Sequence, residues 1–406
     1  MVSALFNWID RRMPFLDFFD HHLKKYYAPA NLNIWYYFGA FSLLMFINQF
    51  CTGLWLAMAY IPSAEQAFHS VEAIMRDIPY GWVLRYMHST GASFFFIVVY
   101  LHMVRGVLYG SYKNPREFLW LVGCFLFVLL MMEAFMGYLL PWGQMSYWGA
   151  QVITSLFEAI PLIGPSLVIF IRGDYTISGV VLNRFFALHV IAIPLVFIGL
   201  IALHILALHA VGSNNPDGIE IRDNLDENGI PRDSVPFHPY YTIKDLFGCS
   251  VLLLLFFSVV FFVPEGGGFF LEAPNFQEAN PMETPEHIAP VWYMTPYYAI
   301  LRAVPNKLLG ICAMVSSLAV WFFLPWLDRC PVRSIRYRHT IHKCNLILLG
   351  VSFVGLGILG IQPPSPWKTF FARICTTGYF AFFAFLPIYS RYEKTKPLPT
   401  RLTACH

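Results

Sequence analysis

The sequence predicts an all-α integral membrane protein with eight transmembrane helices and both termini cytoplasmic. Three observations predict it. Of the 406 residues, 57% are hydrophobic and only 13% are charged, with a mean hydropathy of +0.55; a water-soluble chain of this size carries about twice that charged share. Eight apolar runs can each supply the roughly 20 helical residues that cross a hydrocarbon core about 30 Å thick. Lys and Arg gather at the termini and in alternate connections, as the positive-inside rule requires.

The runs, in order, are 33–60, 82–109, 117–139, 180–209, 246–264, 305–326, 344–362 and 368–390. Before the first lies Phe6 to Tyr27, which carries Arg11, Arg12, Asp17 and Asp20. It lacks the unbroken apolar core of a signal peptide and reads as an amphipathic helix on the membrane surface. Basic residues such as Lys24, Lys25, Lys113, Arg222, Arg336 and Lys394 mark the cytoplasmic side. The chain divides into a surface segment (1–30), a four-helix unit (31–215), a second four-helix unit (216–392) and a tail (393–406).

The connections differ in kind. Segments 141–179 and 265–304, on the outer side, are long, poor in charge and rich in Pro, Gly and aromatics. Such loops fold back onto the membrane surface and roof something. The connection with Asp217, Glu220, Asp223, Asp226, Glu227 and Asp233 is acidic and reads as solvated. A net charge of +3 gives no reason to expect nucleic acid. The eight cysteines form no C-x-x-C pair and no C-x-x-C-H motif, which argues against disulfides, zinc and covalently attached haem.

Histidines inside the apolar runs carry the chemistry. His88 and His102 are fourteen residues apart on the second run. On a helix that is four turns less about 40°, with a rise of about 21 Å. The two imidazoles therefore face nearly the same way, one towards each membrane edge. His189 and His204 repeat the device on the fourth run. A single such His often does no more than bond a neighbouring helix. Two level pairs suit axial ligation of two non-covalent haems, which hide their apolar faces in a helix bundle. On this reading the first four helices form a di-haem four-helix bundle.

Glycines share the period. Gly39 and Gly53 are fourteen apart on the first run, as are Gly123 and Gly137 on the third. Each costs about 0.5–1 kcal/mol in a helix interior. Close helix packing is one reason to keep them; a flat macrocycle pressed on the backbone is the other. Antiparallel order assigns Gly39 and Gly123 to the inner haem, and Gly53 and Gly137 to the outer. Arg85 and Arg184 precede the outer histidines and Arg105 follows the inner one, while Ser111, Arg116 and Trp120 lead into the third run. As a set they suit haem propionates; singly, each could be a snorkelling residue.

Longer motifs point to a family. RYMHSTGASFFFIVVYLHMVRG (85–106), GYLLPWGQMSYWGAQVIT (137–154), NRFFALH (183–189), HILALHAVGSNNPDG (204–218), PFHPYYTIKD (236–245) and PVWYMTPYYAILRAVPNKLLG (290–310) closely resemble the cytochrome b subunit of the ubiquinol–cytochrome c oxidoreductase (cytochrome bc) complex, in its bacterial full-length form. The resemblance runs from about residue 20 to 392. It implies two haem b groups. His88 and His189 match the iron ligands of the low-potential outer one, and His102 and His204 those of the high-potential inner one. His209, Ser213, Asn214 and Asp245 match an inner quinone-reduction site. Tyr147, Pro290, Val291, Trp292, Tyr293 and Tyr298 match an outer quinol-oxidation pocket. The implied partners are a Rieske iron–sulfur protein, a cytochrome c-type subunit, a second copy of the complex and membrane lipid. The implied reaction oxidises quinol outside. One electron goes to the Rieske protein and then cytochrome c. The other crosses by the two haems to quinone inside, building a proton gradient across a bacterial inner membrane.

Two departures stand out. Val291 occupies a place where the family commonly has a proton-accepting glutamate. Glu133, one helical turn from Gly137, is expected to supply that carboxylate from the other wall. His189 and His204 are fifteen apart, not fourteen, and Pro194 lies between them. A kink or one-residue widening near Pro194 is expected to realign the ligands. A di-haem anchor for another quinone-linked oxidoreductase would also account for the histidines, but not for the PVWY segment. A non-redox transporter of protons or metal ions would bind no haem.

Overall fold

The computed structural model describes residues 8–14 and 20–403. Eight helices are long and apolar enough to span a membrane: α1 (Ile34–Ala57), α2 (Gly81–Tyr109), α3 (Glu117–Leu139), α4 (Gly179–Val211), α5 (Phe237–Phe262), α6 (Lys307–Leu327), α7 (Thr340–Ile361) and α8 (Pro366–Tyr392). Local chemistry sets several boundaries. Ser178, Asn306 and Ser365 accept N–H bonds at the starts of α4, α6 and α8. Gly110, at φ +65°, ends α2, where the Ser111 N–H turns back to the Gly106 carbonyl at 2.8 Å. A Cβ at Gly110 would also lie 2.7 Å from the Arg333 carbonyl oxygen, so no other residue fits there. Large apolar side chains such as Trp55, Leu254 and Phe262 stand exposed on the outward faces, as a lipid-facing surface requires.

Helix α1 packs on α2 and α3 on α4, and these four surround two cavities. One core, with Met45, Phe96, Phe127, Phe197 and Phe256, runs through α1 to α5. A second, with Leu324, Leu356, Tyr379 and Phe382, joins α6, α7 and α8 to the short helix Thr295–Ala303.

The expected widening of the fourth helix is present. Residues Leu188–Ala192 form a π turn, closed by the Ile193 N–H on the Leu188 carbonyl, and α-helix resumes at Ile193 with Pro194 in its first turn. The wider turn absorbs the extra residue between His189 and His204.

The two long loops fold back and hold each other. Helices Gln144–Ser155 and Gly164–Arg172 form in the first, and Thr295–Ala303 in the second. The Gln144 N–H bonds the Gln277 carbonyl at 3.0 Å, and the Ala279 N–H bonds the Trp142 carbonyl at 3.0 Å. Asn275 Oδ1 accepts from the Ser146 N–H at 2.9 Å.

The opposite end is fastened by charge. Tyr27–Pro29 pairs antiparallel with Ser234–Pro236, tying the N-terminal segment to the connection before α5. Arg401 pairs with Asp233, and Thr403 bonds Asp217, so both described chain ends reach that same connection. The acidic connection is thus less solvated than its composition suggests. Asp217 is buried, bonded by Asn31, Arg336, Tyr337 and Thr403. Burial pushes its carboxyl up, but bonds from Thr403, Tyr337 and Arg336 outweigh that and hold it below the usual carboxylate range. Glu220 is clasped by Arg116 and Arg333. Of its six acidic residues only Asp223 and Glu227 are exposed. The expected amphipathic helix over Phe6 to Tyr27 lies partly outside the described residues; Trp8–Asp10 is helical and Asp20–Lys24 forms a π turn.

Candidate functional site

The outer cavity, about 260 Å³, lies between α1, α2, α3 and α4 and is roofed by the loop before α6. His88 and His189 face each other across it with ring centres 6.1 Å apart. About 6 Å is what two imidazoles leave between their centres when one metal ion sits between their nitrogens at bonds of about 2 Å. Glycine seats flank both rings. A Cβ at Gly53 would stand 3.0 Å from His88 Cε1, and one at Gly137 only 2.4 Å from His189 Cε1. The glycines therefore sit where the sequence period placed them, against the expected histidines.

Polar neighbours fix each ring. Thr52 Oγ1 lies 2.9 Å from His88 Nδ1, and Gln49 bonds the His88 carbonyl at 2.9 Å. His189 Nδ1 lies 2.9 Å from the Glu133 carbonyl oxygen and 3.0 Å from its carboxylate Oε1. Arg85, Val291 and Tyr293 also line this cavity. Tyr293 stacks on Phe96 with ring centres 3.8 Å apart, and its carbonyl accepts from Tyr100 at 2.6 Å.

Tyr147, Pro290, Trp292 and Tyr298 do not line the cavity. Tyr147 packs edge-on to Trp142 under the roof, Trp292 bonds Ser93, and Tyr298 bonds the Ile288 carbonyl beneath Arg302. Arg184, expected beside the outer haem, is exposed instead. Its guanidinium donates to the Phe170 carbonyl at 2.6 Å, at the C-terminal end of Gly164–Arg172. Unpaired carbonyls and the negative helix end draw a cation there.

The inner cavity, about 460 Å³, is larger. His102 and His204 face each other with ring centres 6.4 Å apart. Added Cβ atoms at Gly39 and Gly123 would each lie 3.3 Å from the Cε1 of His102 and His204 respectively. Arg105, Ser111, Arg116, Trp120, Ser213, Asn214 and Asp245 line the same space. Arg105 bonds Ser111 at 3.3 Å and lies 3.1 Å from His102 Nδ1. Trp120 donates to the Trp321 carbonyl at 2.8 Å. His209 lies outside the lining and stacks on Tyr26 with ring centres 4.5 Å apart, while the Tyr26 hydroxyl is 3.4 Å from Ser213 Oγ.

These residues fit haem. Among the described residues no group of three or more His, Cys, Asp or Glu could hold a bare metal ion. Each cavity offers two imidazoles, which suits an iron whose other ligands come from a macrocycle. The inner cavity also has buried polar atoms without a protein partner: Arg105 Nε, Arg116 Nη1 and Asn214 Oδ1. Two are cationic donors, the chemistry a propionate needs.

Sequence reasoning missed several neighbours. Thr52 and Gln49 sit beside Gly53 on α1, and polar residues inside an apolar run were the available signal. Glu272 had none. It lies in the roof next to Leu271, where the Tyr138 hydroxyl donates to its Oε2 at 2.5 Å, and burial pushes its carboxyl up.

Known proteins match both halves of the chain. The family described as Cytochrome b/b6/petB matches residues 23–212, and that described as Cytochrome b(C-terminal)/b6/petD matches residues 278–380. A cytochrome b of Allochromatium vinosum is 55% identical over 406 residues, covering 98% of each chain. A cytochrome b of Rickettsia typhi is 46% identical over 401 residues, again covering 98% of each. A solved chain described as Hyperthermophilic respiratory Complex III superposes with a TM-score of 0.87 at 38% identity, covering 94% of this chain and 98% of that one. With its facing imidazoles, its glycine seats and both halves matched, the chain belongs to the cytochrome b family of multi-pass, haem-bearing electron-transport proteins.

Proposed function

We propose that this chain is the electron-transferring subunit of a Complex III-type quinol–cytochrome c oxidoreductase in a bacterial inner membrane. The observation that carries the reading is the repeated geometry: two imidazole pairs, each about 6 Å between ring centres, in separate cavities of one four-helix unit. The ligands of one helix are separated by about 21 Å of rise, which is most of a hydrocarbon core.

His88 and His189 would hold a low-potential haem in the outer cavity, and His102 and His204 a high-potential haem in the inner one. When bound, these groups supply one-electron carriers between the two sides of the membrane. The protein's own part is orientation and exclusion of water. Thr52 and the Glu133 carbonyl fix the two outer rings, and the glycines let the helix backbones approach. Arg105 and Arg116, with Ser111 and Asn214 beside them, would bind the inner propionates.

Val291 and Tyr293 form the wall through which quinol would approach the outer cavity. The other residues of the outer motif build the roof around them. Quinone would be reduced at the inner cavity's mouth, where Ser213 and Asp245 line the space. Asp245 would supply a proton from the aqueous side, with His209 and Tyr26 stacked at the rim. Electrons leaving outward would pass to a Rieske protein and a cytochrome c-type subunit, and the complex would work as a homodimer. Proton release outside and uptake inside would build the gradient.

The test is a reduced-minus-oxidised spectrum of the purified protein with a potentiometric titration. Two b-type haems with separate potentials are expected. A protein without haem would overturn the reading in favour of a non-redox transporter.

A further inference from the structure

Orienting an axial histidine takes one acceptor, and His189 has two. The Glu133 backbone carbonyl already lies 2.9 Å from its Nδ1. The Glu133 carboxylate adds a second contact at 3.0 Å. On its other side the ring meets Gly137, whose added Cβ would fall within 3.0 Å of three ring atoms. The imidazole is thus seated between a glycine and a carboxylate one helical turn apart on α3. No Lys or Arg among the described residues pairs with Glu133, and its Oε2 has no partner. The carboxylate contacts His189 and is not neutralised by a cation.

Among the described residues, none of the other three imidazoles has such a neighbour. His88 Nδ1 meets the neutral Thr52 hydroxyl. The Arg105 guanidinium lies beside the His102 ring, 3.1 Å from Nδ1 and 3.4 Å from Nε2, and among the described residues no carboxylate bonds His102 or His204. The direct ring contacts therefore differ in charge, a carboxylate on His189 and a guanidinium on His102, although Arg85 also lines the outer cavity and Asp245 the inner one.

We propose that Glu133 is a positioning residue that lowers the reduction potential of the outer haem by accepting the Nδ1–H of His189. The inference rests on the reading of His88 and His189 as haem ligands. A carboxylate on the far nitrogen makes the near nitrogen a stronger donor. A stronger donor favours the more positive state of the iron. Weak screening in an apolar cavity strengthens the effect. Oε1 lies on His189 while Oε2 has no partner, so this use of Glu133 stands beside the expected one as a quinol proton acceptor.

The test is the Glu133→Gln variant in membranes holding the whole complex, read by potentiometric titration of both haems and by low-spin electron paramagnetic resonance. The outer haem's reduction equilibrium should shift at least tenfold towards the reduced form, which is 59 mV for one electron. The outer resonance should change, and the inner equilibrium should move less than twofold. Both haems bound with an unmoved outer potential would overturn the inference. Should Glu133→Gln fail to retain the outer haem, Glu133→Asp decides: the charge-keeping variant must bind it with an equilibrium within twofold of the parent, and a raised potential or a lost haem overturns the proposal. A parent protein without two b-type signals would instead defeat the functional reading beneath it.

Discussion

The outer cavity sets its imidazoles beside Thr52 and Glu133; the inner one sets His102 beside Arg105. Helices, ligand type and ring separation repeat, while polar neighbours do not. The glycine seats differ too. An added Cβ would lie 3.0 and 2.4 Å from the rings at the outer pair, and 3.3 Å at each inner seat. The ends are also fastened differently. The outer side is closed by backbone bonds between its two long loops, and the inner side by buried ion pairs. One scaffold thus supports two chemically distinct sites. Ring geometry belongs to the helices, and the polar surroundings belong to residues one contact further out.

The largest expected effect lies in the inner fastening. Asp328 is buried against Lys113 at 2.9 Å and Arg338 at 2.8 Å, and accepts from Tyr112 at 2.5 Å. Burial raises its carboxyl, but Lys113 and Arg338 outweigh burial and hold it well below the usual carboxylate range. Asp328→Asn strands the buried Lys113 and leaves Arg338 only Glu393, and should cost about 3–5 kcal/mol, read as a lower thermal midpoint in detergent. A depressed carboxyl contributes its full stability above its unfolded value of about 3.9. That contribution is lost as pH falls through the lower native value, so the parent's stability should fall at acid pH and the variant should lack that component. Equal midpoints for the two at neutral pH would show that charge does not lock this end.

The glycine contrast comes next. Gly137→Ala drives a Cβ into a ring that ligation holds still, so outer haem content should fall at least tenfold. Gly123→Ala needs a shift of only a few tenths of an ångström and should keep most of the inner haem. Haem content and the two optical bands read both outcomes. Equal losses would show that the seats are equivalent.

Arg105→Gln sharpens the charge contrast. Removing the guanidinium from beside His102 should move the inner haem's equilibrium several-fold towards the oxidised form, opposite in sign to the Glu133 variant. A titration that moves both haems the same way would break the comparison. The smallest effect is expected at Arg184. As a helix-end cation it contributes about 0.3–1 kcal/mol, so Arg184→Gln should shift the thermal midpoint slightly and leave the outer haem spectrum unchanged.

Hydropathy made the spans legible, because a bilayer imposes both length and composition. The fifth span starts earlier than its apolar run: α5 begins at Phe237 rather than 246, since His238 to Lys244 is polar and an apolar count passes over interfacial turns. Period-fourteen spacing made the histidine and glycine pairing legible, because helical phase converts sequence distance into direction. What stayed hidden depends on contacts distant in sequence. Glu133 and His189 are 56 residues apart, and Tyr138 and Glu272 are 134 apart. Composition likewise could not show that Asp217 is buried by residues from both ends of the chain. Arg184 was misplaced because proximity in sequence to a ligand does not say which way a long side chain turns.

The π turn at Leu188–Ala192 has a consequence for how such a helix tolerates change. It works like a skipped thread on a screw: one residue is taken up locally, and the rest of the shaft keeps its angular setting. The cost is one residue of rise, about 1.5 Å, small beside the thickness of a bilayer. Insertions and deletions inside a membrane helix are usually ruinous, because each turns every later side chain by about 100°. Here a single residue could be removed from the wide turn with His189 and His204 still facing their partners. The helix carries a built-in tolerance of one residue, placed at His189 and ahead of His204.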